Sequence, residues 1–149
     1  MYRICFVCHG NICRSPAAEM IAKQEIEARG LQKDVEVFSR AISHEEIGND
    51  IYAPMKAAMA LEGVPIEKHY ASFLSEQDVR GSDVIFYMDE SNRIRLVRFY
   101  GERPRLFRPI TEYDPEIEEI EDPWYTGRFD VVLHQLKRCI HHIFDNLEF

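Results

Sequence analysis

Tyr2-Arg3-Ile4-Cys5-Phe6-Val7-Cys8-His9-Gly10-Asn11-Ile12-Cys13-Arg14-Ser15-Pro16-Ala17-Ala18 is the stretch on which the fold turns. Residues 2 to 8 form a short apolar run enriched in Ile, Phe and Val and bounded by Gly10-Asn11, the pattern of a strand buried on both faces of a parallel sheet. Ser15-Pro16 then supplies an N-cap and a proline at the first helical position. Ala17, Ala18, Met20, Ile21, Ala22 and Ile26 predict a helix that Gly30 ends.

The strand-to-helix unit recurs. Val35 to Ser39 reads as a second short strand, and Tyr52 to Leu61 as a helix stopped by Gly63-Val64-Pro65. Asp83-Val84-Ile85-Phe86-Tyr87-Met88 reads as a strand running into Asp89, the N-cap of a helix to about Phe99. Arg105-Leu106-Phe107 is a weaker strand. Phe129, Val132, Leu133, Leu136, Ile140, Ile143 and Phe144 follow three-and-four spacing and predict a long C-terminal amphipathic helix. Alternating strands and helices indicate a doubly wound α/β sheet whose ligand site lies beyond the carboxyl ends of its strands. Cys8 sits at that end of the first.

Cys8-His9-Gly10-Asn11-Ile12-Cys13-Arg14-Ser15 is a Cys-x5-Arg-Ser segment between strand and helix. Five intervening residues let the backbone curl so that N–H groups from His9 through Ser15 face one concavity, and the following helix adds its positive dipole end. The product is an anion site of phosphate size. Arg14 can close it with two parallel N–H bonds, which strengthen as charge spreads over a transferring phosphoryl group. Cys8 lies where the same groups stabilise negative charge, so it is expected to be a thiolate nucleophile.

Bulk properties narrow the classes. The chain of 149 residues is 46% hydrophobic and 30% charged, ordinary for one compact domain spanning 1–149. A formal net charge of -8, with no large Lys/Arg cluster, argues against nucleic acid and anionic membranes as partners. No apolar run reaches about 18 residues, and the first one ends at His9-Gly10-Asn11, too soon for a signal peptide, so a cytoplasmic location is expected. Such a chain does not need disulfides to fold, and the clustering of Cys5, Cys8 and Cys13 calls for another account.

Val7-Cys8-His9-Gly10-Asn11-Ile12-Cys13-Arg14-Ser15-Pro16-Ala17-Ala18-Glu19 resembles the signature of the low-molecular-weight protein tyrosine phosphatases. The similarity runs on through residues 43–49, His69-Tyr70-Ala71, Met88-Asp89-Glu90-Ser91-Asn92 and Glu121-Asp122-Pro123-Trp124-Tyr125. It implies a flavodoxin-like three-layer sandwich with a four-stranded parallel sheet in the order 2-1-3-4. It also implies a hydrolase that passes phosphate from phosphotyrosine proteins through Cys8, with Arg14 binding phosphate and Asp122, in its Asp-Pro-aromatic segment, as general acid and then base. By the same resemblance, Asn11 holds a left-handed backbone conformation, Ser15 donates to the Cys8 sulfur, Glu19 and His69 buttress Asn11, and Cys13 is a redox partner able to shield Cys8 in a reversible disulfide. No metal or organic cofactor is implied, a tyrosine kinase is a natural partner, and the chain is expected to act as a monomer or weak homodimer.

Trp124 and Tyr125 come just after Asp122-Pro123 and are placed to wall a pocket for a flat phenyl ring. The opposite wall departs from the pattern: His44-Glu45 stands where an aromatic residue is common, and His9 follows the nucleophile where many relatives have an apolar residue. Glu116, Glu118, Glu119, Glu121 and Asp122 put five acids in seven residues, and like-charge crowding there would favour a protonated Asp122.

Four rival readings compete. Cys5, Cys8 and Cys13 could ligate zinc or an iron–sulfur cluster, but strand alternation directs Cys5 away from the loop. A protein-arginine phosphatase would carry Thr where this chain has Ile12. An arsenate reductase needs downstream cysteines, and none lies between Cys13 and Cys139. A non-catalytic phosphate-binding module would have no use for an acid at Asp122.

Overall fold

The computed structural model describes residues 1–148; residue 149, the last of the expected domain, lies outside them. The elements in chain order are β1 (Tyr2–Cys8), α1 (Arg14–Arg29), β2 (Val35–Ala41), α2 (Ala53–Leu61), α3 (Glu76–Gly81), β3 (Val84–Tyr87), α4 (Glu90–Tyr100), β4 (Phe107–Pro109), α5 (Pro123–Thr126) and α6 (Phe129–Asn146). The four strands make one parallel sheet in the order β2-β1-β3-β4, as the resemblance implied.

Alternation along β1 explains its unbroken apolar sequence. Ile4, Phe6 and Cys8 belong to a core shared with α1, α2 and α6, whereas Cys5 and Val7 belong to a second core with Val79 of α3, Leu96 of α4 and Phe107. The central strand is therefore buried on both faces, and the molecule is a three-layer sandwich. Cys5 and Cys8 point to opposite faces, which removes the shared-metal reading of the cysteine cluster. Phe6 and Phe86 stack across adjacent strands with ring centroids 6.0 Å apart.

The structure moves several sequence-based boundaries. β2 runs to Ala41 rather than Ser39, because β1 continues to Cys8 and offers ladder partners for Arg40 and Ala41. The last strand is Phe107–Pro109 rather than 105–107, set by pairing of Phe107 with Ile85 and Pro109 with Tyr87; a proline is tolerated there because β4 is an edge strand. α1 begins at Arg14 with Cys13 as N-cap, so Ser15 is not the cap; its hydroxyl is engaged by the loop instead. α3 and α5 are too short to show periodicity. α3 is held by a capping box in which Ser75 Oγ accepts from Asp78 N at 3.0 Å and Asp78 Oδ2 accepts from Ser75 N at 3.0 Å. Among the described residues, no helix is long and apolar enough to cross a membrane.

Candidate active site

β1 ends at Cys8, and the chain then folds under itself before α1 starts six residues later. Gly10, Asn11, Ile12 and Cys13 are all buried, yet their backbone N–H groups donate to no protein acceptor among the described residues. Buried amides left this way call for a partner from outside the protein, and an anion seated in the loop could accept from several at once. Asn11 makes the curl possible: it has φ 59°, and is the one non-glycine at positive φ among the described residues.

Side chains fix that turn from several directions. Asn11 Nδ2 donates to Ser15 Oγ at 2.8 Å and to Ser39 Oγ at 3.0 Å, and Asn11 Oδ1 accepts from Ser72 N at 3.1 Å. His69 Nε2 meets the Asn11 carbonyl at 2.6 Å. Among the described residues, Glu19 reaches Asn11 through Ser39, whose hydroxyl donates to Glu19 Oε1 at 2.6 Å. Ser43 Oγ donates to the His9 carbonyl at 2.9 Å and steadies the start of the loop.

Cys8 is 3% exposed and lies against α1, where Ser15 N–H points at its sulfur from 3.4 Å and Ser15 Oγ lies 3.0 Å away. Arg14, 2% exposed, donates through Nη1 to Asp89 Oδ2 at 2.6 Å and to the Ile120 carbonyl at 2.8 Å. Its Nη2 lies 3.5 Å from Asp122 Oδ2. Nε and Nη2 carry no protein hydrogen bond among the described residues, which leaves one donor edge of the guanidinium for a ligand. Burial alone would lower the Arg14 pKa, but the negative charges of Cys8, Asp89 and Asp122 outweigh it and the net shift is upward. Cys13 is driven the other way: burial first, then the charges of Cys8 and Asp122, push its thiol up to about 12, so it is protonated at neutral pH. Cys8 and Cys13 are both free thiols.

These groups line a cavity of about 120 Å³ together with His9, Gly10, Ile12, Glu45, Glu46, Trp124 and Tyr125. Asp122 Oδ1 caps α5 by accepting from Trp124 N at 3.0 Å, while Oδ2 faces Arg14. The Trp124 ring, half-exposed, leans on Tyr52 with centroids 4.6 Å apart, and Tyr125 is almost fully exposed.

Two sequence readings need correction. His44 is not in the pocket wall: it stacks on Phe73 with ring centroids 4.0 Å apart, because the turn after β2 carries it outward, and Glu46 takes the place beside Glu45. Three acids of the run are engaged by partners other than Asp122. Glu121 pairs with Arg128, Glu116 lies 3.0 Å from Arg138 and Glu119 accepts from Glu90 N at 3.1 Å, so the charge facing Asp122 is Arg14. His9 Nε2 meets Glu45 Oε2 at 2.9 Å across the pocket mouth.

Sequence reasoning missed Ser39, Glu46, Tyr52 and the second role of Asp89. Asp89 was legible as a cap, and its Oδ1 does accept from Asn92 N at 2.9 Å. A carboxylate at the carboxyl end of a strand has a second oxygen to spare, which was the available signal. Ser39, Glu46 and Tyr52 come from distant segments and carry no local pattern.

The sheet, the strand–loop–helix cup at its carboxyl edge and the buried arginine beside it define an α/β protein with unpaired amides and a guanidinium edge gathered around one cysteine. Residues 3–148 match the family described as low molecular weight phosphotyrosine protein phosphatase, and the chain belongs to that family. Low molecular weight protein-tyrosine-phosphatase YfkJ of Bacillus subtilis is 32% identical over 140 residues, covering 92% of this chain and 90% of that protein. The low molecular weight phosphotyrosine protein phosphatase of Homo sapiens is 34% identical over 142 residues, covering 91% of this chain and 89% of its own. The crystal structure of YfkJ from Bacillus subtilis matches with a TM-score of 0.92 at 30% identity, covering 97% of this chain and 93% of that one.

Proposed function

We propose that this protein hydrolyses phosphotyrosine monoesters in cytoplasmic protein substrates through a phosphocysteine on Cys8. The observation that carries the reading is the setting of the Cys8 sulfur. It receives the Ser15 N–H and lies 3.0 Å from the Ser15 hydroxyl, at the base of a pocket that also holds Arg14 and Asp122. Donors aimed at a sulfur stabilise it as a thiolate, which is the attacking species and later the leaving group.

In the first step the sulfur attacks phosphorus in line with the departing phenolate. The free edge of Arg14 and the unpaired amides of Gly10 to Cys13 hold the equatorial oxygens, and Asp122 protonates the phenolate oxygen as the P–O bond breaks. In the second step the Asp122 carboxylate takes a proton from water, the water oxygen bonds to phosphorus and the S–P bond breaks to return the Cys8 thiolate. Trp124 and Tyr125 offer flat apolar surface to the phenyl ring. Ile12, whose side chain borders the pocket, supplies no hydroxyl to favour a guanidinium leaving group, so phosphotyrosine is preferred over phosphoarginine.

The test is turnover of an aryl phosphate by wild type and Cys8→Ser. Activity in the substituted protein should fall below about one-thousandth, with a phosphorylated thiol trapped from the wild type alone. Retention of the rate in Cys8→Ser removes the mechanism.

A further inference from the structure

Gly10 and Glu46 meet at the pocket's edge. A Cβ on Gly10 would lie 3.2 Å from Glu46 Cγ and 3.6 Å from Glu46 Cβ. Gly10 is not among the residues at positive φ, so close approach rather than backbone conformation calls for glycine here. The Glu46 stem thus lies directly on the loop that receives phosphate. Its carboxylate is held there by Asn49, whose Nδ2 donates to Glu46 Oε2 at 2.7 Å.

Asn49 is a neutral donor, and no Lys, Arg or His pairs with Glu46 among the described residues. The other acids at this end of the molecule differ. Glu45, largely exposed, meets His9 at 2.9 Å, and Asp122 faces Arg14 at 3.5 Å. Glu46, a partly buried residue of the lining, therefore holds a carboxylate with no cation against it among the described residues. Such a charge opposes the approach of a dianionic phosphate ester unless the substrate brings a positive group of its own.

We propose that Glu46 is a specificity-determining residue that selects phosphotyrosyl segments carrying Lys or Arg next to the phosphorylated residue. The inference rests on the proposed phosphatase activity and deepens it. The flanking ammonium or guanidinium sits against the Glu46 carboxylate while the phosphate occupies the cup, so the pocket reads a pair of opposite charges on one segment.

The test is kcat/KM on phosphotyrosyl peptides that differ only in having Lys or Glu beside the phosphotyrosine. Wild type should favour the Lys peptide by about tenfold at low ionic strength, a preference that shrinks as salt is raised to about 0.5 M. In Glu46→Gln, which keeps an oxygen for Asn49, the ratio should fall to about threefold or less; in Glu45→Gln, whose site is more solvated, it should move less. Each ratio is taken within one protein, so a general loss of activity cancels. A wild-type ratio at or below one, or a ratio unmoved by Glu46→Gln, overturns the inference. Turnover of a small aryl phosphate without discrimination between the peptides refutes Glu46 selection alone; no turnover of any of them refutes the phosphatase reading beneath it.

Discussion

Asn11 and Ser15 stand in a donor-to-acceptor relation that sets the direction of a third bond. Asn11 Nδ2 donates to Ser15 Oγ at 2.8 Å, so the hydroxyl proton of Ser15 is free to turn toward the Cys8 sulfur 3.0 Å away. A left-handed residue early in the loop thereby orients a donor at its far end.

Ser15→Ala should therefore slow the step in which sulfur departs. A hydrogen bond to a charged group contributes about 1.5–3 kcal/mol, so steady-state turnover should fall roughly 10- to 100-fold. Stopped-flow release of the aryl alcohol should still show a burst, with phosphoenzyme accumulating behind it. A steady-state rate within about twofold of wild type would discount the bond.

Asp89→Asn separates two duties of one side chain. Asn can still cap α4, but the charge that holds Arg14 at 2.6 Å is removed. Loss of one member of a partly buried pair should cost about 1–3 kcal/mol in urea unfolding, less than for a fully dry pair because Asp89 retains some exposure. Misplacement of the guanidinium should lower kcat about 100-fold. An unchanged kcat would show that the Ile120 carbonyl is sufficient to aim Arg14.

Asp122→Asn preserves the cap on α5 and removes the proton. Turnover should fall by about 10²- to 10⁴-fold for esters with poorly acidic leaving groups, and much less for nitrophenyl phosphate, whose anion departs without help. Equal losses on both substrates would argue for a structural role instead.

Stability should erode in alkali. Burial moves the Cys139 thiol from its ordinary 9.0 up to about 12, with the charge of Asp114 adding to the shift, and burial also moves Cys13 up to about 12. Between those values the unfolded chain has lost protons that the native state still holds, so unfolding becomes easier as pH rises from about 9 to about 12 and is unaffected by these thiols below 9. Urea melts over this range should show a shallower decline for Cys139→Ala than for wild type. Parallel slopes would exclude the thiol as a contributor.

The fold was legible because β1 is apolar on both faces and α6 carries an unbroken three-and-four stripe; each pattern follows from where its side chains are buried. β4 was displaced because an edge strand three residues long takes its register from β3 rather than from its own sequence. Cys8 and Arg14 could be read together because loop and helix are contiguous, whereas contiguity made Ser15 a cap, a place that Cys13 holds, and its contact with Cys8 came by resemblance. Asp122 was placed by resemblance, since nothing local connects it with Arg14. Ser39 and Glu46 could not be read at all: their parts depend on β2 delivering one to Asn11 and the following turn laying the other on Gly10.

Arg14 is anchored by residue 89 after β3 and by residue 120 late in the chain, and it faces residue 122. During synthesis Cys8 and Arg14 therefore leave the ribosome long before the guanidinium has its anchors. The arginine side of the cup is complete only once residues 89 and 120 have both docked on it, so a pocket that opens the sequence is closed by segments that follow it by 75 and 106 positions.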